Sequence, residues 1–195
     1  MRPLQINFAC FFLFLFILNS ACDDKKANDK KVNTGPANQE EETKGFDDFS
    51  AKFKKLVKTD TALFRGVSLG THVDSVRRFE STSSPLESGD NYISYSIPFN
   101  IKEEADVLYY FGEDSKINKI ETDIYPENIE SQSSIFNEFD VFFTKKYGSP
   151  IIVGEVEKAW KSHDNKYLIE MKKTGNVKVH DIKIVYSISG GKGAV

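Results

Sequence analysis

The chain has 195 residues, 39% hydrophobic and 13% aromatic, and its 26 basic and 29 acidic residues leave a formal charge of −3. That length suits one globular domain with appendages and is too short for two full-sized domains. No segment reads as a basic groove, which argues against nucleic acid as a partner. The two cysteines, Cys10 and Cys22, both lie near the N-terminus, so the body of the chain has neither a disulfide nor thiol chemistry.

The first stretch is an address. Met1–Ala21 carries a single charge, Arg2, then an unbroken apolar run from Phe8 to Leu18, then Asn19, Ser20 and Ala21 before Cys22. A run of about 11 apolar residues fits a signal-peptide core, whereas a spanning helix needs about 20. The order Leu18-Asn19-Ser20-Ala21-Cys22 resembles the lipobox of bacterial lipoproteins, in the relaxed form of the Bacteroidetes, since Asn19 stands where Leu is usual. The resemblance implies cleavage before Cys22, diacylglycerol on its sulfur and a fatty acyl chain such as palmitate on the new amino group. The alternative is a plain secretory signal that leaves Cys22 free. Cleavage leaves 195 − 21 = 174 residues, with a formal charge of −3 − 1 = −4 once Arg2 is gone. Asp23–Gly45 has no aromatic residue and mixes both charge signs, so it reads as a flexible tether. About 23 such residues reach roughly 25–30 Å, enough to hold a domain off a membrane.

The folded part is expected from Phe46 to Ser189. Phe46, Phe49, Phe53, Leu56 and Val57 share one face of a predicted helix over Phe46–Lys58. Ala62–Gly70 reads as an apolar connection or edge strand. Thr71 with Asp74 three residues later has capping-box spacing, which predicts a short helix over Thr71–Glu80. Ser81–Asn91, with Pro85, Gly89 and four serines, reads as a loop. Three alternating segments follow as strands: Tyr92–Phe99, Ala105–Phe111 and Lys116–Tyr125, with Gly112–Ser115 as a hairpin turn. In Ser131–Tyr147, Ile135, Phe136, Phe139, Phe142, Phe143 and Tyr147 recur at helical spacing, and Gly148 and Pro150 supply the stop. This helix is expected to organise the core. Val156–Ser162, Asn165–Lys173 and Val177–Ser189 are strand candidates, with turns at His163–Asn165 and Thr174–Asn176; Gly190–Val195 is expected to be a frayed tail.

Helix followed by three strands thus occurs twice, about 67–125 and about 131–189. Short connections require antiparallel neighbours. The expected fold is α+β, an antiparallel β-meander with helices packed on one face, from two α-β-β-β units that can share one sheet. Gly66–Val76 is similar to the (I/V)-x-x-G-x-(T/S)-x-x-(D/E)-x-V start of small bacterial envelope domains. The β-lactamase-inhibitor protein and the SmpA/OmlA lipoproteins are relatives of that architecture. The resemblance implies a binding domain without catalysis.

Chemistry-bearing constellations are sparse. His72, His163 and His180 are not at metal-ligand spacing. Gly66-Val67-Ser68-Leu69-Gly70 has the letters of a nucleophile elbow but not the strand–turn–helix context. The carboxylates Glu103, Glu104, Asp106, Glu113, Asp114, Glu121 and Asp123 lack the frame of a calcium loop. Tyr92 and Tyr110, with Leu108 beside them, fall on the strand face opposite the core. With Trp160 on a further strand they form a candidate interaction face, since tyrosine gives large contact area at low entropic cost. The expected role is a non-catalytic protein-interaction or scaffold module, lipid-anchored through Cys22 in the cell envelope, with no cofactor, no metal and no nucleic acid. The alternative is a small-ligand carrier with a cavity between helix and sheet.

Overall fold

The computed structural model describes residues 45–176 and 179–190. The leader, Cys22, all but the last residue of the tether, and residues 191–195 lie outside the described residues. An eight-stranded antiparallel sheet carries α-helices on one face. In chain order the elements are α1 (Ala51–Val57), α2 (Val73–Phe79), β1 (Ser84–Ser88), β2 (Tyr92–Asn100), β3 (Glu103–Phe111), β4 (Ile117–Tyr125), α3 (Ile129–Tyr147), β5 (Ile152–Val153), β6 (Glu157–Lys161), β7 (Tyr167–Asn176) and β8 (Val179–Ile188). The strand order is β1-β2-β3-β4-β8-β7-β6-β5. A helix followed by four strands occurs twice, and the last strand of each set meets the other at the centre, β4 against β8. Among the described residues no helix is long and apolar enough to cross a membrane.

Helix α3 covers the sheet. It starts two residues earlier than Ser131 because the Asn128 side chain accepts from the Ser131 backbone N–H at 2.9 Å and caps it. It ends at Gly148, whose φ of 86° is one that glycine adopts without strain. Ile135, Phe136, Phe139, Phe142 and Phe143 are all buried. Burying each stabilises the fold by roughly 1.5–3 kcal/mol. Phe139 meets Phe53 of α1 edge-on at 4.9 Å, and Phe143 meets Trp160 of β6 at 5.1 Å. The inward row Ile93, Tyr109, Ile120, Tyr186, Ile169 and Trp160 runs across six strands by direct pairing, and every member is buried.

Five expectations change in detail. The helix expected over Phe46–Lys58 is broken: Phe46–Asp48 form a 3-10 turn and Ser50 caps α1, accepting from the Phe53 N–H at 3.1 Å. Ser50 also donates to Glu138 of α3 at 2.8 Å, so the break docks the helix pair. The cap of α2 is His72, not Thr71; its Nδ1 accepts from the Asp74 N–H, while the Thr71 hydroxyl accepts from the Ser68 N–H. Ser81–Asn91 contains the edge strand β1, and Ile152–Val153 forms a second edge strand, so each set has a fourth strand. Pro85 is tolerated there because an edge strand leaves its outward backbone unpaired. Residues 62–70 make a tight loop with one bridge, Phe64 to Val67, and not a strand. Thr174–Asn176 extends β7 instead of turning, and at Gly175 (φ 101°) an added Cβ would lie 2.1 Å from the Val179 carbonyl oxygen.

Two polar clusters lock the helices to the sheet. The Arg65 guanidinium donates to both Glu80 oxygens, at 2.7 and 2.9 Å, and to the Leu56 carbonyl at 2.7 Å. The Tyr109 hydroxyl of β3 donates to Glu80 at 2.6 Å and Ser83 donates at 2.7 Å. Burial alone would raise the Glu80 pKa, but the hydrogen bonds and charge of Arg65 outweigh it and hold the carboxyl below its usual range. Glu103, at the start of β3, accepts from Lys52 of α1 at 2.5 Å, Asn100 at 2.9 Å, the Glu127 N–H at 3.3 Å and the Ser131 hydroxyl of α3. Against its burial, these donors hold Glu103 at about 2.

Candidate functional site

The helices leave one face of the sheet uncovered. Strand alternation and register lay its residues out in rows. One row reads Tyr92, Tyr110, Lys119, Ser187, Leu168, Lys161 across β2, β3, β4, β8, β7 and β6. The next reads Ser94, Leu108, Glu121, Val185, Glu170, Ala159, and the third Ser96, Asp106, Asp123, Lys183, Lys172, Glu157.

The expected face residues Tyr92, Leu108 and Tyr110 are brought together here. The two tyrosine rings lie 5.9 Å apart, Leu108 sits one row below, and all three are half-buried. The Lys119 ammonium lies 3.7 Å over the Tyr110 ring, a cation–π contact. Burial and the Glu121 charge raise the Tyr110 hydroxyl above its ordinary value, so it stays a neutral donor.

Trp160 does not belong to this face. It is fully buried on the helix side, paired with Ile169, its ring tilted against Phe143, and it donates its indole N–H to the Thr144 hydroxyl at 3.3 Å. Lys158 shares its face and pairs with Asp140 of α3 at 2.5 Å. The alternation of β6 alone does not say which face is inward; the register against β7 and the weight of α3 decide it. Ala159, between them, takes the open-face position.

Charges surround the aromatic cluster in a lattice. Lys183 bridges Glu121 and Asp123, and Lys119 lies 3.3 Å from Glu121. Burial works to raise Glu121, but the Lys183 hydrogen bond and charge and the neighbouring Lys119 keep it below the usual carboxylate range. Asp106 stands directly opposite Asp123 and is raised by burial and by the charges of Glu104 and Asp123, against a 3.3 Å hydrogen bond from the Tyr125 hydroxyl. The β2–β4 half is thus tyrosine-rich and net acidic, with Glu121, Asp106 and Asp123 against Lys119, whereas the β8–β6 half carries Lys161, Lys172 and Lys183 against Glu157 and Glu170. The sequence reading missed this second half, although Leu168, Glu170 and Lys172 alternate against Ile169 and Met171 and mark it.

No reacting constellation forms among the described residues. His72 caps α2, His163 lies in an exposed turn and His180 lies on β8. The Ser68 backbone N–H donates to the Thr71 hydroxyl, and no histidine among the described residues bonds Ser68. No group of three His, Cys, Asp or Glu side chains among the described residues is placed to hold a metal ion. Shallow concavities border the helices, among them one of about 460 Å³ lined by Phe136, Asn137, Lys158 and Lys173, and two more. One, of about 170 Å³, is lined by Phe46, Phe49, Phe142 and Lys146. The other, of about 410 Å³, is lined by Lys54, Lys58, Ser83 and Ser96.

No family model matches this chain, and no curated protein matches it. Among solved structures, the chain is similar to the crystal structure of a DUF4309 family protein (YjgB) from Bacillus subtilis, at 13% identity and a TM-score of 0.36 over 69% of this chain and 89% of that one. A likeness of that size says nothing of activity.

Proposed function

We propose that this protein is a lipid-anchored envelope protein whose folded part is a non-catalytic interaction module, presenting the uncovered sheet face to a protein partner. The anchor is supported by the lipobox-like Leu18–Cys22 behind a short apolar run, and by the tether that follows it. The envelope-domain resemblance of Gly66–Val76 points the same way. The observation that carries the interaction reading is the Tyr92, Leu108 and Tyr110 cluster, ordered by a tilted ring contact and by Lys119 yet left half-exposed to solvent. Aromatic anchors with low rotamer entropy inside a polar rim are the composition of a recognition surface. A carrier cavity between helix and sheet has little support, because Phe139, Phe143, Ile184 and Tyr186 fill that space.

Two experiments test it. Cys22→Ser should abolish labelling of the protein by a fatty-acid analogue in cells; continued labelling refutes the anchor. Tyr110→Ala should leave the melting temperature nearly unchanged and weaken capture of the proteins that crosslink to the wild type. A large fall in melting temperature would put Tyr110 in the core and end the open-face reading.

A further inference from the structure

The uncovered face is self-complementary. Between β4 and β8 runs an axis along the strands that swaps the two halves of the sheet. Rotating a copy by half a turn about that axis, face to face, lays β4 on β8, β3 on β7 and β2 on β6 of the other copy, with each row kept. The rows then match. Asp106 faces Lys172, Asp123 faces Lys183, Tyr110 faces Leu168 and Tyr92 faces Lys161 of the second copy. Two pairs, Leu108 on Glu170 and Glu121 on Val185, are unmatched. The other two-fold in the plane, across the strands, sets each strand on itself. Centred on the middle row, it opposes Glu121 to Glu121 and Glu170 to Glu170, so charge selects the first arrangement.

We propose, resting on the interaction reading above, that the partner of this face is a second copy of the same chain, packed sheet on sheet as a two-fold dimer. Three features argue for this occupant. The first is charge. Asp106 and Asp123 are like charges in direct opposition, and only Asp123 has a cation of its own copy, Lys183 at 3.1 Å; Asp106 has no ion pair among the described residues. Lys161 and Lys172 are exposed and make no ion pair with any other described residue. The second is area. Five strands of 9 or 10 residues and one of 5, about 4.8 Å apart and rising about 3.4 Å per residue, give a face of roughly 800 Å², what one partner contributes to a standard interface. The third is geometry. Aligned sheets pack within about 30° of each other, which keeps the central rows in register while the corners diverge. The dimer is isologous, so every contact occurs twice and the assembly closes without forming fibres.

Within one copy, Asp106 and Lys172 lie three strand spacings apart, about 14 Å, too far for a direct amide bond between them. The test mixes unlabelled and heavy-isotope-labelled full chain, purified in mild detergent, and treats it with a carbodiimide. Mixed-isotope peptides joining Asp106 to Lys172 are expected. Sedimentation should show a dimer, and Asp106→Lys should weaken it by about tenfold or more. The doubly exchanged Asp106→Lys/Lys172→Asp variant should restore it. Circular dichroism of each variant confirms that it has folded. A wild type that stays monomeric at about 100 μM overturns the proposal, and so does a dimer that Asp106→Lys leaves untouched or that the double exchange does not restore. A monomer whose Tyr110→Ala variant still loses a captured protein keeps the interaction face and removes only the second copy as its occupant.

Discussion

Replacing Glu80 by Gln tests whether the helices are held to the sheet by charge or by grease alone. Glu80 is fully buried and Arg65 is 4% exposed, so the exchange strands a guanidinium with no counter-charge. The new amide also points N–H groups at Arg65 donors, where an oxygen used to accept. Breaking a buried pair by removing one partner costs about 3–5 kcal/mol. For a domain of this size that is a fall of about 6–20 °C in melting temperature. Urea unfolding followed by the fluorescence of the single tryptophan, Trp160, measures it. The pH dependence must agree. Glu80 has a folded-state pKa below its ordinary value, so its share of the stability is complete above pH 4.5 and drains away below it. The Gln variant should lack that acid limb. Exchanging the set for apolar residues, Arg65→Leu/Glu80→Met/Tyr109→Phe, should recover most of the loss, because no charge is then buried unpaired, although the Leu56 carbonyl and the Ser83 hydroxyl each lose a partner. A loss under about 1 kcal/mol in Glu80→Gln, at unchanged m-value, would refute the reasoning.

Phe139→Ala should cost about 3–5 kcal/mol in urea denaturation, since the ring is fully buried between Phe53 and Phe143; a near-neutral result would contradict the packing of α3. Glu103→Gln should flatten the acid limb of stability between pH 4.5 and about 2, worth about 2–3 kcal/mol, because the wild-type carboxyl is depressed to about 2 by Lys52, Ser131 and Asn100. An unchanged acid profile would mean that the latch contributes nothing. Tyr186→Phe should be neutral or stabilise by about 1 kcal/mol, because the buried Tyr186 hydroxyl has no hydrogen-bond partner among the described residues. A clear loss of stability would show that the hydroxyl is satisfied.

Periodicity made much of this fold legible in the chain itself. The alternation of Ile93, Tyr95 and Ile97, of Val107 and Tyr109, and of Ile120, Thr122 and Ile124 marks strands with one wet wall. The 3.6-residue recurrence of five Phe and Ile side chains marks α3 and its inward stripe. Short turns required antiparallel neighbours, and two helix-plus-strand runs implied one shared sheet. These are local properties, set by spacing of two or of three and four residues, and they need no knowledge of distant contacts. They also place Tyr92, Leu108 and Tyr110 on a common face.

Tertiary contact alone decided the rest. Nothing in Glu157–Lys161 says that Trp160 turns inward; that follows from the pairing of β6 with β7 and from α3 above it. The meeting of β4 with β8, which sets the acidic half of the open face beside the lysine half, comes from two segments some sixty residues apart. The Arg65–Glu80–Tyr109 and Glu103–Lys52–Ser131 clusters likewise join residues that no sequence window contains. Spacing along the chain determines which side chains share a face. Only the folded packing, by burying one wall and leaving the other wet, determines which face a partner can reach.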